Sequence, residues 1–289
     1  LPILQIQPGQ RGLDATLGYG GHTLEMLKCL KGEGHLYALD VDTVESAKTK
    51  ERLQKLGYGE EILTIKNINF RDIDKVCEEA GKFDFVLADL GVSSMQIDNP
   101  ERGFTYKKEG PLDLRLNQKK GVSAAERLKE VTMEELEGMF VENADEPYAH
   151  EIAEKIFAKL RRGEAIDTTT KLQQIIEEAL KFIPEKERKE AVKKSCQRTF
   201  QALRIDVNSE FEVLYEFMEK LPNVLKEGGR VAILTFHSGE DRIVKRAFKE
   251  LKRAGVYSDI ANDVIRPSAE ECNYNSRAKS TKMRWAIKA

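Results

Sequence analysis

The sequence lacks the residue patterns that mark several large protein classes. Its four cysteines, Cys29, Cys77, Cys196 and Cys272, lie far apart in 289 residues and form no C-x-x-C pair. That spacing argues against a zinc knuckle and a disulfide framework and favours reduced, mostly buried thiols. With four histidines and no His/Cys cluster, the sequence offers no metal site. No apolar run approaches the roughly 20 residues that cross a bilayer, and no secretory signal is visible. We therefore expect a cytoplasmic protein without a membrane partner.

The composition is that of a globular protein with a sizeable core. Hydrophobic residues make up 40% of the chain and charged residues 33%. The length predicts one large domain or two modest ones. Because the net charge is −2, any nucleic-acid binding must come from a local basic patch. The chain opens on Leu1 instead of Met, so we expect residues to be missing upstream.

The stretch from residue 12 to residue 40 organises the rest of the chain. Its pattern predicts a strand, a glycine loop, a helix and a second strand that ends at Asp40. Gly18, Gly20 and Gly21 lie in the loop, where residues without a Cβ let a ligand approach the backbone. The helix that follows presents unpaired N–H groups. A carboxylate at the end of the second strand can accept hydrogen bonds from both hydroxyls of a ribose.

The spacing of the glycines separates two kinds of nucleotide ligand. A dinucleotide-binding loop reads Gly-x-Gly-x-x-Gly, and Thr23 stands here in place of the third glycine. With Asp14 upstream, the pattern Asp-x-x-x-Gly-x-Gly resembles the first motif of S-adenosylmethionine-dependent methyltransferases. That cofactor has no pyrophosphate, so a loop less dedicated to phosphate suits it. An ordinary glycine turn without a ligand is the simpler alternative.

Further along, α/β units stand on both sides of a helical block. The apolar run Phe83–Asp89 predicts a buried parallel strand with a polar residue at its carboxyl end. From Ser123 to about Phe200 the periodicity is helical, with capping-box signatures at Thr132 and Thr170. Two more strands, 230–236 and 282–288, follow, so we predict one doubly wound α/β domain with an all-helical insertion. Residues 1–106 and 199–289 form the first domain in this prediction, and residues 107–198 form the insertion.

Several sequence blocks together resemble the MraW family, the bacterial and organellar small-subunit (16S) ribosomal RNA cytosine-N4 methyltransferases. The resemblance covers most of the chain and implies a Rossmann-like methyltransferase sheet with a helical insertion. It lies in the blocks 14–22, 89–94, 102–104, 110–115, 199–205, 207–210 and 236–242.

The resemblance implies S-adenosylmethionine as cofactor and a set of residues that bind it. These are Gly20, Gly21 and His22 beside the methionine part, Asp40 at the ribose, Phe70 beside the adenine, Asp89 at the end of the fourth strand, and Gln96. The chain departs from the family pattern at Gly239, where Leu is usual, and at Ala144–Pro147. A His-x-Pro-Val segment that usually precedes the first strand is absent, which again indicates a trimmed chain.

Asp89 is the candidate catalytic residue. Cytosine N4 is a poor nucleophile because its lone pair is delocalised into the ring. The protein must hold the amine about 3–3.5 Å from the methyl group and place an acceptor for its N–H groups. We expect Asp89 and nearby backbone carbonyls to act as that acceptor. The alternative, in which Asp89 binds only the amino group of the cofactor, stays open.

RNA contacts are expected from side chains near the carboxyl ends of the predicted parallel strands, where the cofactor is expected to bind. The candidates are Arg102, Arg115, Arg204, His237, Ser238 and Arg242. Basic residues neutralise phosphates and orient the substrate without choosing the base. A structural turn is the simpler role for His237. The target base must be unpaired or flipped out.

The sequence predicts an RNA cytosine-N4 methyltransferase that acts on small-subunit ribosomal RNA or on the assembled small subunit. Three alternatives remain: methylation of another exocyclic amine, a nicotinamide dehydrogenase, and an RNA-binding protein that has kept the fold without activity. The absence of the third glycine, where the chain has Thr23, counts against the dehydrogenase. Whether the chain is a monomer or a homodimer stays open.

Overall fold

The computed structural model describes residues 1–289, which divide into two compact units. The first unit combines Leu1–Gly91 with Phe211–Ala289, and the second is Val92–Glu210. The predicted boundaries, after residues 106 and 198, both fall inside the second unit. Each unit has its own hydrophobic core.

The first unit is built on a seven-stranded sheet in the order β3-β2-β1-β4-β5-β7-β6. The first five strands in that order pair in parallel, and β7 is antiparallel to both of its neighbours. The strands are β1 (Arg11–Asp14), β2 (His35–Leu39), β3 (Leu63–Lys66), β4 (Phe83–Asp89), β5 (Leu225–Thr235), β6 (Tyr257–Ile260) and β7 (Lys282–Lys288). The order β3-β2-β1-β4-β5 is that of doubly wound α/β proteins.

Helices cover both faces of this sheet. They are α1 (Gly21–Leu30), α2 (Thr43–Lys55), α3 (Ile73–Ala80), α10 (Glu210–Val224), α11 (Ser238–Arg253) and the short α12 (Ala269–Tyr274). One core packs β1, β4 and β5 against α3, α10 and α11, and the other packs the sheet against α1 and α2. Both faces of β4 are therefore covered, which explains its continuous apolar run.

Two parts of the first unit differ from the sequence prediction. The strand β6 was not predicted, because Tyr257–Ile260 is a half-exposed edge strand without a clear apolar alternation. The strand β5 begins at Leu225, before Gly228 and Gly229, whereas the sequence predicted a strand that begins at residue 230. A Cβ on Gly229 would lie 3.1 Å from the carbonyl oxygen of Phe83. This glycine therefore permits a close approach of two strands.

The second unit is all-helical apart from a single isolated bridge. Its helices are α4 (Ser94–Asp98), α5 (Ala124–Glu130), α6 (Met133–Ala144), α7 (Ala149–Arg161), α8 (Thr169–Ala179) and α9 (Glu185–Val207). The predicted capping box at Thr132 is present. The one predicted at Thr170 is wrong, because Thr168 caps α8. The Thr169 hydroxyl donates to the carbonyl of Lys108 at 2.8 Å, which fixes the start of the helix from outside it.

None of the helices in either unit has both the length and the apolar content that a bilayer crossing requires.

Candidate active site

The carboxyl ends of the parallel strands form one edge of the first unit, and the sequence-predicted cofactor residues gather there. The chain turns in opposite directions from β1 and from β4, which lie side by side. Such a switch point leaves a crevice outside the strand ends, where doubly wound proteins bind their ligands. Asp14, Asp40 and Asp89 all stand at or directly after the end of a strand at this edge.

The glycine loop between β1 and α1 has the conformation that its sequence predicts. Gly18 and Gly20 have φ values of 51° and 84°, in the left-handed region that favours glycine. Gly20 is the N-cap of α1, and a Cβ there would lie 2.8 Å from Cγ2 of Thr49. A Cβ on Gly21, by contrast, would meet nothing within 4 Å, so space is open over the first turn of the helix.

Asp14 supports the loop from inside the protein. Its carboxylate accepts hydrogen bonds from the N–H of Thr16 at 3.0 Å and from the hydroxyl of Thr23 at 2.6 Å. Burial raises its pKa above the ordinary value. The hydroxyl of Thr23, at the place where a dinucleotide loop has its third glycine, is thus engaged with Asp14.

Asp40 holds the loop and is partly exposed at this edge of the sheet. Its two oxygens accept hydrogen bonds from the N–H of Gly18 at 3.1 Å and from the N–H of Asp42 at 2.8 Å. Burial is the main reason why the pKa of Asp40 rises to about 6. A carboxylate that burial destabilises gains from new hydrogen-bond donors, such as the two hydroxyls of a ribose.

Asp89 has one oxygen engaged and one free of protein partners. Oδ2 lies 3.1 Å from Nε2 of His22, and this hydrogen bond raises the pKa of His22 above its ordinary value. Oδ1 is buried and has no hydrogen-bond partner in the protein. The N–H of Asp89 donates to the hydroxyl of Thr16 at 2.7 Å, which ties the end of β4 to the loop after β1. A buried acceptor without a partner indicates a place for a ligand donor.

Two residues of α2 complete the loop, and sequence reasoning missed both. The hydroxyl of Thr49 donates to the carbonyl of Gly18 at 2.7 Å. The guanidinium of Arg52 donates to the carbonyl of Tyr19 and lies 3.6 Å from the centre of its ring. Neither residue belongs to a recognisable motif. Thr49 is buried, but α2 is rich in polar residues throughout, so the sequence offers no signal for either residue.

The contacts of Phe70 and Gln96 within the protein do not test their predicted roles in cofactor binding. Phe70 starts a short 3₁₀ helix and packs edge-to-face on Phe217, with ring centres 5.1 Å apart. Gln96 belongs to the second unit, where its side chain is buried and Oε1 accepts the N–H of Ser93 at 2.9 Å as part of a capping box. Both cofactor roles stay predictions.

The start of α11 holds the next two predicted residues. His237 is the N-cap of α11, with its ring nitrogens buried and Nε2 3.2 Å from the carboxylate of Glu240. Ser238 is exposed. A Cβ on Gly239 would lie 2.7 Å from the ring of Phe211, so the glycine makes room for that ring and the turn is filled.

The predicted RNA-binding arginines divide into two groups. Arg102 is only 5% exposed and donates to the carbonyls of Arg115 and Leu116, so it is not available to a phosphate. This corrects the prediction for Arg102: its charge stabilises a loop of the second unit. Arg115 is paired with Asp113 at 2.8 Å, and Arg204 with Glu210 at 2.9 Å.

In the first unit, Arg242 is exposed on the first turns of α11. It and Ser238 are the predicted RNA-binding residues that lie on the surface.

Comparison with known proteins decides the family. The family model described as the MraW methylase family matches residues 1–289. The chain belongs to the MraW methylase family. Ribosomal RNA small subunit methyltransferase H 1 of Lachnoclostridium phytofermentans is 71% identical over 289 residues, which is 100% of this chain and 79% of that protein. Ribosomal RNA small subunit methyltransferase H 2 of Alkaliphilus metalliredigens is 66% identical over 289 residues, with 100% and 83% coverage.

Among solved structures, an rRNA methylase from Streptococcus thermophilus aligns with a TM-score of 0.43 and 12% identity. That alignment covers 99% of this chain and 91% of that one.

As a MraW methylase, the protein is an S-adenosylmethionine-dependent methyltransferase with a Rossmann-like α/β sheet. The residues at the carboxyl edge fit this cofactor. Asp40 is an acceptor for ribose hydroxyls, and the open space over Gly21 leaves room for the methionine part. The free Oδ1 of Asp89 is an acceptor for one donor group, of the cofactor or of the substrate.

Proposed function

We propose that this MraW methylase transfers the methyl group of S-adenosylmethionine to N4 of a cytidine in small-subunit (16S) ribosomal RNA, in the bacterial cytoplasm. The observation that carries the proposal is the 71% identity over the whole chain to a relative named as a small-subunit ribosomal RNA methyltransferase. Choice of cytosine N4 rests on the motif blocks of the sequence and on the chemistry of the site.

The geometry supports transfer to an amine. The reaction is an in-line displacement at the sulfonium methyl, so the enzyme must orient the amine and accept hydrogen bonds from its N–H groups as nitrogen gains positive charge. Asp89 has a buried oxygen without a protein partner at the carboxyl edge. His22 holds the other oxygen, which fixes the direction of the carboxylate. We assign Asp89 as the acceptor for the N4 amine.

In this proposal, Gly20, Gly21 and His22 bind the methionine part and Asp40 binds the ribose. Phe70 lies beside the adenine, and Gln96 adds a cofactor contact. Ser238, His237 and Arg242 contact the target nucleotide or its neighbours. The second unit recognises the substrate, with Arg115 and Arg204 holding its loops through ion pairs.

The test of the function is transfer of labelled methyl to small ribosomal subunits from a strain that lacks the enzyme, followed by digestion to nucleosides. Label in N4-methylcytidine is the expected result. Label in any other nucleoside contradicts the N4 assignment, and no label in RNA contradicts the substrate. Free 16S ribosomal RNA, assayed in parallel, tells which form is methylated.

The role of Asp89 is tested by Asp89→Ala. If Asp89 is the acceptor for the amine, S-adenosylhomocysteine still binds while turnover falls by about 10²-fold or more. Loss of cofactor binding together with turnover would leave standing the alternative in which Asp89 binds only the cofactor. Asp89→Asn is the matched control, since it keeps the size of the side chain and one acceptor oxygen and removes the negative charge.

A further inference from the structure

The segment between β6 and β7 packs little against the core of the first unit, so core packing does not account for its ordered structure. We call residues 266–281 the 266–281 arm. Its helix, Ala269–Tyr274, has no buried residue, and its 3₁₀ turn, Ser276–Ser280, buries only Ala278. Ordering sixteen residues costs conformational entropy that this burial hardly offsets. Ordered surface segments of this kind commonly carry a binding function.

The composition of the arm changes at its midpoint. Acidic residues end at Glu271, and the last eighteen residues of the chain contain none. The same stretch holds five basic residues, of which Arg277 and Lys279 lie in the arm. The other three belong to β7, where Arg284 is buried and paired with Asp241 at 2.8 Å. This contrasts with the net charge of −2 of the whole chain. A local basic segment on an acidic protein indicates an anionic partner.

Tyr274 lies at the start of that basic stretch and is 88% exposed. Its neighbours Asn273 and Asn275 are exposed too, as are Arg277 and Lys279. A large aromatic ring exposed among basic and amide side chains matches the composition of surfaces that bind single-stranded nucleic acid. In those surfaces bases stack on the ring and basic groups follow the phosphates.

The topology places the arm at the edge where the cofactor residues gather. β7 is antiparallel to β5, and its first residue, Lys282, pairs with Thr235 at the carboxyl end of β5. The arm therefore enters β7 from the carboxyl edge. Since β1 and β7 are separated by two strands, the glycine loop and the root of the arm are about 15 Å apart along that edge. That is a span of a few nucleotides.

We propose that the 266–281 arm binds unpaired RNA beside the target base, with Tyr274 stacking on one nucleotide and Arg277 and Lys279 contacting phosphates. The inference rests on the proposed function, since it takes RNA to be the substrate. It adds a contact that the motif blocks do not include.

The experiment measures binding of the 289-residue chain to a fluorescein-labelled, unpaired twelve-nucleotide RNA by anisotropy, at fixed salt. Tyr274→Ala is expected to weaken binding about 5- to 100-fold, the range for loss of one base–aromatic stack. Tyr274→Phe keeps the ring and is expected to bind as the wild type does. The matched control is Tyr215→Ala, which removes another exposed tyrosine, 59% exposed on α10.

Several outcomes overturn the inference. They are equal binding by Tyr274→Ala and wild type, an equal loss in Tyr215→Ala, a loss that is as large for duplex RNA, no binding of the oligonucleotide by the wild type, and a loss seen only with assembled subunits. The last would point to a protein contact.

Methyl transfer, measured separately, keeps the two proposals apart. If wild type methylates subunits and Tyr274→Ala binds RNA normally, the arm inference fails and the function stands. If the wild type binds RNA through Tyr274 but labels no RNA, the proposed function fails and the arm still binds RNA.

Discussion

Binding of S-adenosylhomocysteine should weaken as the pH falls below 6, because Asp40 must be ionised to accept both ribose hydroxyls. Burial raises the pKa of Asp40 to about 6 in the ligand-free protein. Above that pH the carboxylate is ready for the ligand, and below it a proton competes. Between pH 8 and pH 5 the dissociation constant is expected to rise about tenfold, with a limiting slope of about one decade per pH unit.

The same shift affects stability with a sign that can be checked. The folded-state pKa of Asp40 lies above the ordinary value of 3.8, so its contribution to stability is fully present below pH 3.8 and is lost as pH rises through about 6. A shift of this size corresponds to about 3 kcal/mol. The ligand-free protein therefore gives up stability at neutral pH to keep an ionised carboxylate at the opening.

Calorimetric titration with S-adenosylhomocysteine from pH 5 to pH 8.5 makes the test. Asp40→Asn should bind weakly, and the step near pH 6 should disappear. His22 needs its own control, since its hydrogen bond to Asp89 raises its pKa above 6.5 and its titration lies higher. A dissociation constant that stays flat down to pH 5, or a slope that persists in Asp40→Asn and vanishes in His22→Gln, would refute the assignment.

Three further predictions test other contacts. Thr49→Val removes the hydroxyl that holds the Gly18 carbonyl and should raise the dissociation constant for S-adenosylhomocysteine about 2- to 10-fold, whereas Thr49→Ser should restore it, as measured by calorimetry. Arg102→Met leaves two loop carbonyls without their donor and should lower the free energy of unfolding in urea by roughly 2–4 kcal/mol; unchanged stability would return Arg102 to the RNA-binding candidates. Arg242→Gln should raise KM for small subunits several-fold and leave cofactor affinity unchanged, and equal effects on both would contradict an RNA contact.

Sequence patterns predicted the centre of the first unit well. β4 has the predicted bounds, Phe83–Asp89, because it is an almost continuous apolar run that ends in a polar residue. The three carboxylates of the site were found because they follow predicted strands, which parallel pairing brings to one edge.

The parts that were missed depend on contacts between distant residues. Three consecutive threonines, 168–170, can each cap a helix, and the hydrogen bonds of Thr169 with Lys108 and Gly110 select among them. Thr49 and Arg52 reach the glycine loop from a helix about thirty residues away, and their type is ordinary for a helix surface. In the sequence, Arg102 is a basic residue in a block that resembles the MraW family, which suggested an RNA contact. Its burial depends on how the loop 102–116 folds back.

The backbone of Gly18 limits how the cofactor site can be redesigned. In the ligand-free protein, the N–H of Gly18 donates to Asp40 and its carbonyl accepts a hydrogen bond from Thr49. Replacing Asp40 to admit a synthetic cofactor analogue would also remove one of these two hydrogen bonds. Such a variant would need another acceptor for the N–H of Gly18. A library that varies position 40 alone is expected to give mostly variants with a poorly ordered loop and weak cofactor binding.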